Sequence, residues 1–188
     1  MTKSQNSNYA IANSMVIDLV GGPEGTFALK TYICRSNIEE RPGGSMKLII
    51  SATDGSEGAD RAVAFAADLA KSISARLLIV NVSEDHLSGA DLRLLDQLRV
   101  TEGDALEEIS RRIVSRAKAA AHDRGAVNIE TVTGAGDPAK VLMEIASREH
   151  ADAIVVGRRG HGLLGGLLLG GVSHKLSNLS QCVVMIVP

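Results

Sequence analysis

From Leu48 to Val187 short apolar runs alternate with stretches in which apolar residues recur every three or four positions, and this alternation restricts the fold more than any other feature of the chain. Leu48–Ala52 is the first run and ends in Thr53-Asp54-Gly55-Ser56, a turn and helix-cap composition. Ala62, Val63, Ala66, Leu69, Ala70 and Ile73 then fall on one helical face. Leu77–Val82 is a second strand, continuous rather than alternating, as in a strand covered on both sides. A short helix is predicted over 90–99. A long one follows, with Leu106, Ile109, Ile113, Ala117 and Ala120 as its buried stripe and Gly125 at its end. Val127–Val132 alternates and reads as an edge strand. Asp137-Pro138 starts the next helix, with Asp as N-cap and Pro at the first position, and that helix runs to about His150. Ala153–Val156 and Val183–Val187 are the fourth and fifth strands, with a short helix around Val172–Leu179 between them. The sum is an α/β domain with a parallel sheet covered by helices. In such a sheet a ligand sits beyond the carboxyl ends of the strands.

Residues 1–45 differ from this body. They hold three of the four aromatic residues, show no sustained period, and end in Arg-Pro-Gly-Gly-Ser. They are read as a weakly ordered N-terminal extension, with a docking arm over the body as the alternative. Residues 46–188 form one domain of ordinary length. A net charge of -2 excludes a general polyanion-binding surface, and 2% aromatics removes the stacking platforms used on single strands. No nucleic-acid partner is expected. Two cysteines, Cys34 and Cys182, are too few for a disulfide scaffold, and no secretory signal or membrane-length apolar stretch is evident. The expected compartment is the cytoplasm.

The loop after the fourth strand concentrates the chemistry. Seven of the nineteen glycines lie within residues 157–171. Glycine lets backbone N–H groups approach an anion closely, and the segment leads into a helix whose N-terminus favours phosphate. Arg158, Arg159 and Lys175 are candidates to add positive charge. A flexible glycine-rich turn with its arginines in solvent is the plainer account. The five histidines lack the spacing of a metal site, so none is expected.

Glycines at 157, 160 and 170 fit the G-x2-G-x9-G pattern of the universal stress protein family. Ala52-Thr53-Asp54-Gly55-Ser56-Glu57 resembles that family's opening motif, and Cys182–Pro188 is similar to its closing strand. The resemblance covers 46–188. It implies a Rossmann-like, five-stranded parallel sheet in the order 3-2-1-4-5 with helices on both faces, usually dimeric, and ATP as cofactor, with or without magnesium. Carried over, Asp54 and Val82 would flank the adenine, and Ala52, Val156 and Gly157 would line base and ribose. Arg159, Gly160, Gly170, Gly171, Val172 and Ser173 would hold the phosphates. The chain departs from the pattern at Gly171, where ATP-binding members carry Ser or Thr. The lost hydroxyl is worth about 1 kcal/mol, or up to about 3 against a charged phosphate. Ser173 is the candidate to compensate, and Arg159 adds a charge where some relatives carry His.

The functional expectation is an ATP-binding regulatory or stress-response module whose dimer signals to an unnamed protein partner. A nucleotide-independent interaction protein of the same fold and a slow ATPase are the alternatives, and no catalytic residue is assigned. Asp54 reads either as the cap of the following helix or as a group facing the ligand. Strand five, with five consecutive apolar residues at a sheet edge, needs a cover. Either residues 1–45 or a second copy supplies it, and a homodimer through 182–187 is the expectation.

Overall fold

The computed structural model describes residues 15–21, 27–33, 46–83, 101–161 and 169–188. Among the described residues eleven elements follow one another: β1 (Met15–Gly21), β2 (Phe27–Ile33), β3 (Leu48–Ala52), α1 (Glu57–Ile73), β4 (Arg76–Ser83), α2 (Glu102–Asp123), β5 (Ile129–Ala135), α3 (Pro138–Arg148), β6 (Ala153–Gly157), α4 (Gly171–Leu179) and β7 (Val183–Val187). The short helix predicted over 90–99 lies outside the described residues, as does most of the glycine run, 162–168.

All strands join one sheet in the order β2-β1-β7-β6-β3-β4-β5. Its body, β5-β4-β3-β6-β7, is parallel throughout and has the order 3-2-1-4-5. The strand order reverses between β3 and β6, and both are fully enclosed by neighbours. Alternate residues of the same strands feed two cores. Ile49, Leu77, Ile79 and Val155 pack with the alanines of α1 and with Ala117 and Ala121 of α2. Ile50, Leu78, Val80 and Ile154 pack with Leu142 and Ile145 of α3 and Leu176 of α4 on the opposite face. Each fully buried Leu or Ile contributes about 1.5–3 kcal/mol, so the largely apolar runs of β3, β4 and β6, interrupted by the buried Ser51 and Asn81, are what a two-faced sheet demands.

Caps set the helix starts. The side chains of Ser56, Thr101 and Asp137 accept from the backbone N–H groups of Ala59, Asp104 and Lys140. The stripe of α2 departs from its sequence reading. Ser110, Val114, Ala117 and Ala121 are its buried residues, while Ile109 is 48% exposed. The helix is rotated because Leu106, Ile109 and Ile113 line a cavity at the sheet end instead of the core.

Two strands lie within the extension. Residues 15–21 and 27–33 are strands although no period marks them: β1 and β2 pair antiparallel, and β1 pairs parallel with β7 through Val16, Ile17 and Asp18 opposite Val184, Met185 and Ile186. Of the two covers expected for the β7 edge, residues 1–45 and a second copy through 182–187, the described residues place the first, as β1. The physical reason is that an open edge offers backbone donors and acceptors to any strand, and a tethered strand competes at high effective concentration.

Candidate functional site

The carboxyl ends of β3, β4 and β6 open onto a cavity of about 590 Å³ at the point where strand order reverses. The turn after β3 is tightly built. Gly55 takes a positive φ of 82°, and its N–H donates to Thr53 Oγ1 at 3.2 Å. The Asn81 amide of β4 donates to the Thr53 carbonyl at 2.7 Å, tying the two strand ends together. Arg116 reaches from α2 to the Gly55 carbonyl at 2.9 Å and to the Asp60 carboxylate at 3.0 Å.

Asp54 is not the helix cap; Ser56 is. One Asp54 carboxylate oxygen accepts from the Ser56 N–H at 3.0 Å, and the other from the His161 N–H at 3.2 Å. The His161 ring nitrogen Nε2 lies 3.1 Å from the Asp54 carbonyl. A side chain at Gly160 would run into this carboxylate. Burial pushes the Asp54 carboxyl up, but its hydrogen bonds to Ser56 and His161 outweigh burial and hold it below the usual range.

The second wall is the loop from β6 to α4. The Arg158 N–H donates to the Val187 carbonyl at 2.6 Å, and the Gly170 N–H to the Arg158 carbonyl at 2.8 Å. Gly170 caps α4 without a side chain, so no side chain covers the first amides of the helix, and Gly170, Gly171 and Val172 line the cavity. Ser173 is buried and donates its hydroxyl to the Gly157 carbonyl at 2.8 Å. That hydroxyl holds the strand end against the helix start. At Gly171 a Cβ would meet nothing within 4 Å.

All eleven residues singled out from the sequence line this one cavity: Ala52, Asp54, Val82, Val156, Gly157, Arg159, Gly160, Gly170, Gly171, Val172 and Ser173. Lys175 lines it too, paired with Asp137 at 2.5 Å. The sequence reading missed Thr53, Asn81, Leu106, Ile109, Ile113 and Asp137 as lining residues. Asp137 was legible only as a cap, yet its place directly after β5 puts it at the same sheet end. The Lys175 bond and the cap bond hold its carboxyl below the usual range.

The sequence model of the universal stress protein family matches residues 46–188. The chain belongs to the universal stress protein family. Among curated universal stress proteins, YxiE of Bacillus subtilis is 33% identical over 148 residues, spanning 74% of this chain and 97% of YxiE. Rv1636 of Mycobacterium tuberculosis is 33% identical over 144 residues, 75% of this chain and 95% of its own. A solved universal stress protein in complex with cAMP superposes with a TM-score of 0.56 at 26% identity, covering 77% of this chain and 98% of that one. One from Burkholderia pseudomallei reaches 0.59 at 29% identity, covering 78% and 99%. The universal stress protein body thus coincides with the patterned part of the sequence, and β1 and β2 lie outside the matched residues.

Proposed function

We propose that this universal stress protein binds ATP in the cavity at the sheet switch point and acts as a regulatory module rather than an enzyme. The observation that carries the reading is the convergence of Gly157, Gly160 and the uncapped N-terminus of α4 on one cavity. Backbone N–H groups and the helix dipole would hold the phosphates there. Arg159 lies on the same wall. Ala52, Val82, Val156 and Val172 supply the apolar surface that a base and ribose need, with Asp54 at its border. The cAMP bound to a solved relative supports an adenine nucleotide as the ligand class. Magnesium would arrive with the phosphates.

Occupancy of this cavity would alter a surface read by a protein partner in the cytoplasm. The Val183–Val187 edge is taken by β1 rather than offered to a second copy. No helix among the described residues is long and apolar enough to cross a membrane.

The second reading, a nucleotide-independent interaction protein, draws on Gly171 and on the acidic Asp54 beside the anion loop. Calorimetry separates the two. ATP binding at micromolar to submillimolar concentration, abolished in a folded Gly160→Val variant, supports the nucleotide reading; equal affinity in wild type and variant removes the site assignment.

A further inference from the structure

Two backbones meet at the edge of the cavity with no room between them. A Cβ on Gly58, in the first turn of α1, would lie 2.5 Å from the Arg159 carbonyl oxygen. A Cβ on Gly157 would lie 2.7 Å from the carbonyl carbon and oxygen of Gly58 and 3.1 Å from the Ala59 nitrogen. The contact is reciprocal, and both partners are main chain, so neither can swing aside as a side chain would.

We propose that Gly58 is a positioning residue for the anion loop: its bare α-carbon lets the first turn of α1 act as the stop against which residues 157–160 are set. The inference rests on the nucleotide reading of the cavity and adds to it a residue that does not line the cavity. Both sides of the contact are fixed independently. Ser56 caps α1 through the Ala59 N–H at 3.2 Å. The loop is tied by the Arg158 N–H to Val187, by the Gly170 N–H to Arg158, and by the His161 N–H to Asp54. Real Cβ atoms essentially never come within 3.0 Å of such a neighbour, so an alanine at 58 drives the Arg159 carbonyl back by half an ångström or more. Gly160 follows directly in the chain. Hydrogen bonds to an anion hold over a narrow window of donor–acceptor distance, so a displacement of that size loosens the grip on a phosphate.

Gly58→Ala in the full chain is the test, read by ATP calorimetry and by hydrogen exchange without ligand. The expected result is ATP affinity lower by about ten-fold or more, the order expected for one weakened charge-assisted hydrogen bond. Exchange should quicken at the amides of Arg158, His161 and Gly170, while the amides of β4 keep their protection. Unchanged affinity in the variant overturns the inference, as does exchange that quickens uniformly through β3 and β4, the mark of a merely structural role. Should Gly58→Ala fail to fold, Ser56→Ala loosens the same helix turn without adding an atom, and it must show the same local quickening or the inference falls. Wild-type protein that binds no ATP overturns the nucleotide reading itself, and this inference with it.

Discussion

The His161 N–H donates to the Asp54 carboxylate at 3.2 Å, joining two turns that lie 107 positions apart in the chain. This bond ties the turn after β3 to the loop after β6, and its strength depends on the charge of Asp54. The folded-state pKa of that carboxyl lies below its ordinary value of 3.8. A depressed carboxylate contributes stability that is fully present above the ordinary value and is lost as pH falls through the folded one. The His161 amide should therefore show no Asp54-linked change between pH 5 and 8 and should lose protection only below 3.8. Amide chemical shifts across an acid titration check this. Asp54→Asn presents one N–H donor to another and should cost about 1 kcal/mol in chemical denaturation.

Gly171→Ser should tighten ATP binding by up to about ten-fold, the equivalent of one added hydroxyl bond. The space beside Gly171 is open, and the Ser173 hydroxyl is committed to the Gly157 carbonyl. Calorimetry on the variant decides it. Equal affinities would mean that the backbone amides alone saturate the phosphate contacts.

ATP turnover should stay far below about 1 s⁻¹, the lower end of ordinary enzymes. The cavity offers positioning and positive dipoles, and both Asp54 carboxylate oxygens already accept backbone N–H groups. A steady-state assay giving a metal-dependent rate well above that value, lost in Asp54→Ala, would place the protein among enzymes.

The β1–β7 pairing predicts the behaviour of the sheet edge. Ile17 sits opposite Met185 at the centre of that ladder, and proline there removes a donor and breaks the pairing. Ile17→Pro should free the five apolar residues of β7 and produce a self-associating chain in sedimentation velocity. A variant that sediments unchanged would show that β1 does not guard this edge.

The sheet body and the glycine loop were legible because each rests on local chemistry. A strand enclosed on both faces reads as an apolar run, as in Leu77–Val80, and Asp137-Pro138 announces a helix wherever it stands. What escaped the sequence depends on partners far along the chain. β1 and β2 are held by backbone pairing, which leaves little mark on side-chain period. The stripe of α2 matches its sequence reading at Ala117 alone, because Leu106, Ile109 and Ile113 are apolar for a cavity wall while Ser110, Val114 and Ala121 take the buried places. Gly58 looks like any helical glycine until the Arg159 carbonyl is seen against it.

A nucleotide held by the loop between β6 and α4 should be visible in native mass spectrometry of the purified full chain, alone and with added ATP. The expected spectrum shows one ATP per chain for the wild type and none for folded Gly160→Val. A wild-type spectrum that stays at the mass of the bare chain as ATP is raised through the submillimolar range would contradict it.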